Sequence, residues 1–193
     1  MQDDASDHPS PRDRIRPLLR VRQIREFTDE PLGDAELHAL TEVARWSGSS
    51  RNEQPWHFIV IRDRQTIRTI AEAGMPQTRS LHSAVAAVAI VLPDEASREV
   101  SRAYDDGRVA ERILVAASFL ELGAGIAWIR SDVRATVRDL LGLPQDRLVR
   151  TVMSLGRASA EAERRRMTPG AARRPREEVV FQERWPADDA AGS

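Results

Sequence analysis

The chain has 193 residues, 29 basic and 30 acidic side chains and a formal net charge of -1. That length fits one domain able to bury roughly 70% of its unfolded surface, and the balanced charge argues against a generic nucleic-acid binder. There is no Cys and no Lys, every basic side chain being Arg, which excludes disulfides, thiolate nucleophiles, Cys-ligated metals, Schiff-base chemistry and a P-loop lysine.

In chain order, residues 1–12, with Asp3, Asp4, Asp7, Pro9 and Pro11, read as a disordered tail, as do residues 186–193. Residues 13–185 remain as a single domain. The start has no apolar core of a signal peptide, and the longest apolar run, 84–92, is far too short to span a bilayer. A soluble cytoplasmic protein with no membrane partner is expected. Asp34 is placed to cap a helix whose apolar positions, Leu37, Leu40, Val43 and Ala44, keep the helical period up to Trp46. Residues 47–55 cluster Ser, Gly, Asn and Pro and read as a loop, and 56–61 as a strand. A short helix over 66–73 and an apolar central strand over 85–92 follow.

The strongest helical pattern runs over 106–122, with Val109, Ile113, Ala116, Ala117 and Leu120 on one face and Gly123 placed to stop it. Then come a strand over 124–129, a helix capped by Asp132 and ended by Gly142 and Pro144, and a strand over 148–155. Residues 161–176 are charged and read as a loop, and 179–182 as a short fifth strand. The whole is an α+β domain with a sheet between helices.

Most chemistry has no anchor here. His8, His38, His57 and His82 are scattered without ligand spacing, so no metal site is expected. No Ser sits in a nucleophile elbow. Gly123-Ala124-Gly125 lies between helix and strand, the reverse of the order a dinucleotide loop needs. The Arg-rich stretch near 164–176 is diluted by Glu and lacks aromatic interleaving, so no nucleic acid is expected either. The loop between Trp46 and Trp56 is different. It packs Ser47, Ser49, Ser50, Arg51, Gln54 and Asn52, the chain's single Asn, between two indoles, a mixture suited to orienting a polar, planar ligand. Upstream, Arg20, Arg22 and Arg25 crowd together, and on a helix Arg22 and Arg25 would share a face.

Arg22-Gln23-Ile24-Arg25-Glu26-Phe27, followed by Ala44-Arg45-Trp46-Ser47-Gly48-Ser49-Ser50-Arg51-Asn52-Glu53-Gln54-Pro55-Trp56-His57-Phe58, resembles the nitroreductase family of FMN-dependent oxidoreductases. That family opens with an RRS-hydrophobic-R-x-F segment and continues with ARWAPSS-x-N-x-QPW-x-F. Residues 107–129 resemble its long central helix and following strand, Leu141-Gly142-Leu143-Pro144 its LGIP, and Arg173-Arg174-Pro175 its closing RKP. The likeness spans residues 18–185 in order. It implies a central, mostly antiparallel sheet flanked by helices in an intertwined homodimer, with FMN at each of two shared interface sites. NAD(P)H would deliver hydride, and a small electron-poor acceptor such as a nitro compound or quinone would receive it, in a ping-pong cycle.

Carried over residue by residue, the resemblance assigns Arg22, Gln23 and Arg25 to phosphate, ribityl chain and ring edge. Ser49, Ser50 and Asn52 would come from the partner subunit, with Gln54 close by. Backbone at Trp128 and Ile129 would border the ring, and Arg173 and Arg174 would clamp the phosphate. Arg25 would be the electrostatic group of the reaction, with no obligatory acid or base. Four departures stand out: Val21 and Gln23 in the opening motif, where Arg20 is the nearest substitute for the missing Arg, Gly48 where Pro is common, which should loosen the loop, and Glu111-Arg112 where Gln-Asn is frequent. The alternatives are a protein that sequesters flavin without turnover, or a specialised family role in dehydrogenation, dehalogenation or deazaflavin use.

Overall fold

The computed structural model describes residues 9–164 and 173–186. The outer parts of both expected tails, 1–8 and 187–193, and part of the expected charged loop, 165–172, lie outside the described residues. Helix α1 (Pro11–Leu19) opens inside the stretch read as a tail, because Ser10 accepts the backbone N–H of Asp13 and starts a turn there. It buries none of its side chains.

Helix α2 (Asp34–Arg45) begins one residue earlier than an Asp34 cap would place it. Gly33 is the cap, and Glu36 reaches back to accept its N–H at 2.7 Å, which leaves the Asp34 carboxylate to pair with Arg62. Strand β1 (His57–Ile61) follows the expected loop. Asp63 then caps α3 (Arg64–Ala73) by accepting from the backbone of Gln65 and Thr66. Strand β2 (Ala86–Pro93) leads to α4 (Glu99–Phe119), which starts seven residues earlier than its apolar period indicates. Its first turns carry Arg102 and Asp105, buried as ions rather than as hydrocarbon, so no apolar stripe marks them.

After α4 the left-handed residue is Glu121 (φ 57°), not Gly123, which already begins β3 (Gly123–Trp128). Gly123 is needed for room instead: a Cβ there would lie 2.9 Å from the Ile24 side chain. Helix α5 (Arg134–Leu140) starts after Val133, since Asp132 is engaged by Arg130 at 2.8 Å and is not free to cap. Strand β4 (Arg147–Gly156) and the short α6 (Ala160–Arg164) complete the domain. The expected strand over 179–182 is absent. Val179 and Val180 donate their N–H groups back to Arg176, closing a turn, and no sheet edge lies alongside to pair them.

The sheet has the order β1-β2-β4-β3 with every neighbouring pair antiparallel. The central strand β2 is buried on both faces. Val88, Ile90 and Leu92 pack with Leu40 of α2, and with Val109 and Ile113 of α4. Ala87, Ala89 and Val91 face Ile67 and Ile70 of α3 and Val137 of α5. Fully burying each such large aliphatic side chain is worth roughly 1.5–3 kcal/mol. Two apolar layers therefore clamp one sheet, and its edges, β1 and β3, are left to carry polar groups.

Candidate functional site

The opening Arg segment is extended, not helical. Residues 21–27 run along the free edge of β3, where Ile24 donates its N–H to the carbonyl of Ala124 at 2.8 Å. Period-two geometry puts Gln23 and Arg25 on one side and Arg22 on the other. Accordingly, Gln23 Oε1 accepts the N–H of Ile126 at 3.2 Å and the Arg25 guanidinium at 3.4 Å, whereas Arg22 donates to the carbonyl of Ala162 on α6 at 3.0 Å. Gly125 makes this approach possible. A Cβ there would fall 2.5 Å from the Ile24 carbonyl oxygen.

Arg25 lines a cavity of about 300 Å³ together with Gln77, Arg79, Ser80, Ile126 and Trp128. Trp128 is half exposed. The Ile129 side chain lies in the core, and its N–H is taken by the carbonyl of Arg150 at 2.8 Å. Gln77 and Arg79 did not stand out in the sequence. They sit in the turn between α3 and β2, and only the fold carries that turn to the end of β3. The cavity lining holds two guanidinium groups and no carboxylate, and Arg79 makes no ion pair among the described residues. Two fixed cations beside an exposed indole and a side-chain amide suit a planar, electron-rich, anionic ligand.

Arg173 and Arg174 do not line this cavity. Both are exposed, and Arg174 donates to Glu178 at 3.1 Å.

Ser49, Ser50, Asn52 and Gln54 lie elsewhere, at the start of β1 on the opposite edge of the sheet. Three inter-strand spacings, roughly 14 Å, separate the two edges. The loop folds on itself, with Ser49 Oγ accepting the N–H of Gln54 at 2.8 Å, and its Asn52 and Gln54 side chains are exposed. Three of its residues, Arg51, Asn52 and Gln54, hold φ near +50°, a region that costs an L-residue on the order of 1 kcal/mol or more. Ser50 N–H is accepted by Asp105 of α4 at 3.1 Å, and Glu53 pairs with Arg98 and Arg102. Those two guanidinium groups hold the Glu53 carboxyl below its ordinary pKa.

The two indoles do not wall this loop. Trp56 is buried in the core beside α2 and α4, while Trp46 bonds Glu42 of its own helix through Nε1 at 2.7 Å and stays exposed. Gly48 does not simply loosen the chain either: the Arg108 guanidinium occupies the place a side chain would need, 2.3 Å from its would-be Cβ. Gly48, Tyr104, Gly107, Arg108, Glu111 and Arg112 line a second, open cavity of about 470 Å³ along α4. The departure at Glu111-Arg112 thus falls on this wall, where Arg112 donates to the carbonyl of Trp46 at 3.0 Å.

The chain therefore presents two separate polar clusters, the first along β3 and the second before β1. Comparison with known proteins identifies the family. The family model described as the nitroreductase family matches residues 20–90, which contain both the Arg22–Phe27 segment and the Ser49–Gln54 loop. A protein of Archaeoglobus fulgidus described as an NADH dehydrogenase/NAD(P)H nitroreductase is 32% identical over 148 residues, 74% of this chain and 83% of its own length. An oxygen-insensitive NADPH nitroreductase of Helicobacter pylori is 32% identical over 77 residues, 39% of this chain and 37% of its own. Among solved structures, a nitroreductase from Desulfovibrio desulfuricans in complex with FMN superposes with a TM-score of 0.75 at 26% identity, covering 93% of this chain and 100% of that one. No helix among the described residues is long and apolar enough to cross a membrane. With a relative above 30% identity along most of its length, a four-stranded antiparallel sheet between helices, and the motif loop and Arg segment both in place, the chain is a member of the nitroreductase family of oxidoreductases.

Proposed function

We propose that the protein is an FMN-dependent oxidoreductase that takes hydride from NAD(P)H and passes it to a small electron-poor acceptor, a nitro compound or a quinone, in two half-reactions. The observation that carries this reading is the cationic, carboxylate-free cavity of Arg25, Arg79 and Trp128 beside β3. Its fit to a flavin is chemical: an indole for the ring face, an amide from Gln23 and guanidinium groups for an edge that carries negative charge. At about 300 Å³ it stands at the small end of ligand pockets, as expected of half a site. A homodimer supplies the other half, with Ser49, Ser50, Asn52 and Gln54 of the partner subunit closing over the cavity. The names of the relatives and the FMN in the D. desulfuricans structure support the same assignment.

FMN bound there supplies the hydride chemistry itself. The protein's own residues bind and orient. Arg25 presents a preorganised positive charge, which stabilises negative charge more effectively than reorganising water does. Gln23 is held in register by the Ile126 N–H, so its free amide hydrogens point where β3 directs them. Trp128 excludes water from one side. Arg173 and Arg174 are the residues for phosphate, a task that suits bidentate guanidinium, whereas Arg22 is engaged by the Ala162 carbonyl. No side chain of the cavity lining is a carboxylate or a His, and none is assigned to proton transfer.

The test is direct. Purified protein should be yellow, and its absorbance near 450 nm should bleach anaerobically with NADH or NADPH and return on adding a quinone. A colourless protein that takes up no FMN sinks every flavin reading. A yellow one that no nicotinamide bleaches is a flavin binder without turnover.

A further inference from the structure

We infer that Glu53, Arg102 and Asp105 form a clamp that positions the 49–54 loop on α4 for contact with the flavin, an inference that rests on the FMN reading above. The loop holds three non-glycine residues at positive φ within four positions, a shape an isolated L-peptide abandons. Something outside it must keep that shape. Its anchors are polar and come from one turn of α4: Asp105 accepts Ser50 N–H at 3.1 Å, and Arg102 donates to Glu53 at 3.0 Å. Arg98 adds a second contact to the same carboxylate at 2.6 Å, and the other arm of Arg102 reaches Glu95 at 2.9 Å.

Burial makes this cluster unusual. Arg102 is 4% and Asp105 1% exposed, and charged groups reach that depth only when paired. Yet the pairing is incomplete. Among the described residues Arg102 Nε and Asp105 Oδ2 are buried without a hydrogen-bond partner, and the two side chains approach only to 3.9 Å. A buried ionic cluster with unsatisfied atoms contributes little net stability over an apolar replacement. What this one does deliver is geometry. It fixes a strained loop to a 21-residue helix, the kind of rigid element on which binding groups hold their positions best. Asn52 and Gln54 are left exposed beyond the clamp, free to meet a ligand.

Glu53, Arg102 and Asp105 are thus positioning residues. The test uses the full chain as its FMN-loaded dimer and as apoprotein. Glu53→Gln removes the charge at the outer end, where folding is least at risk. Asp105→Asn keeps an acceptor for Ser50 N–H and serves if Glu53→Gln misfolds. Arg51 provides a protease site inside the loop itself. In the apoprotein variants, trypsin should cut the Arg51–Asn52 bond about tenfold faster, with the remaining Arg bonds cut at the wild-type rate, because only the loop is released. FMN affinity, read by flavin fluorescence, should fall about tenfold, the loss of one charge-assisted contact. Unchanged cleavage at Arg51, or acceleration spread evenly over the chain, overturns the clamp. Asn52→Ala separates the clamp from the reading beneath it. If Asn52→Ala weakens FMN while both clamp variants bind it tightly, the clamp alone falls. If Asn52→Ala binds FMN as tightly as wild type, the loop is not at the flavin and the shared-site reading falls.

Discussion

Arg25 differs from its neighbour Arg22 in what its guanidinium can reach. Arg22 is committed to the Ala162 carbonyl, whereas Arg25 faces the cavity with only a long contact to Gln23. Its charge is therefore free to act on a ligand whose own negative charge grows during the reaction, and such a contact lowers the barrier more than it strengthens ground-state binding. Arg25→Gln should leave oxidised FMN largely bound while slowing hydride transfer by roughly ten- to a hundredfold. Stopped-flow reduction checks this, and the flavin midpoint potential should drop in parallel. Loss of FMN at unchanged rate would assign Arg25 to simple cofactor retention.

Asp106 makes a second residue-scale case. It is 7% exposed, accepts the Thr151 hydroxyl at 2.6 Å, and has its other oxygen buried without a hydrogen-bond partner among the described residues. Burial raises its pKa to about 6, with the Thr151 hydrogen bond and the charges of Arg150 and Arg134 opposing the rise. The sign follows from linkage. The folded chain holds this proton more tightly than the unfolded one, so the contribution of Asp106 to stability is full below about pH 4. It is lost as pH rises through about 6. Asp106→Asn removes that loss, and its stability should stay flatter between pH 4 and 7, by an amount on the order of 3 kcal/mol. Urea midpoints measured at the two ends of that window decide it.

At the scale of elements, the contact between the extended 21–27 segment and β3 positions Arg25 at its cavity. It depends on close backbone approach at Gly125, with Ser154 Oγ also only 2.8 Å from the would-be Cβ. Gly125→Ala must push Ile24 away and carry Gln23 and Arg25 with it. The overpacking should cost about 1–3 kcal/mol. Thermal unfolding gives the stability loss, and FMN affinity should fall in the same variant although residue 125 touches no ligand. A variant with lowered stability and unaltered FMN binding would detach the segment from the site.

At the scale of the molecule, the Arg25 cavity and the Ser49–Gln54 loop lie on opposite edges of one sheet, so under the proposed function a complete site needs two copies. The exposed surface agrees with that: Tyr104 and Phe119 on α4, Leu18 and Leu19 on α1, and Val179 and Trp185 near the C-terminus all lie open in a single protomer. An obligate interface of about 2,000–5,000 Å² would cover them. Sedimentation should show a dimer, and subunit mixing tests the sharing itself. A dimer of one Arg25→Gln chain and one Asn52→Ala chain has one site carrying both substitutions and one intact site, so the isolated mixed dimer should show about half of wild-type activity and a random equimolar mixture about a quarter. If mixing restores nothing, each site is built within one chain.

Much of this was legible in the residues. The helices over 34–45 and 64–73, the all-apolar β2 and the loop of Ser, Asn and Gln before Trp56 follow from local periodicity and turn chemistry, which the chain encodes over a few neighbours. The same local reading failed wherever a distant group supplied the partner. The 21–27 segment is extended because β3 offers it a free edge. Helix α4 starts early because Arg102 in its first turns pairs with Glu53 and Glu95 and Asp105 accepts the Ser50 N–H. The 179–182 stretch is a turn because no edge meets it. Arg79 joins Arg25 only because the sheet order brings the turn before β2 next to the end of β3. The sequence by itself determined which side chains could serve a flavin: permanent guanidinium cations, a single Asn in a polar loop, and no Cys or Lys. The tertiary structure decided which of them share a surface, because sheet order and burial are set by contacts between residues far apart in the chain.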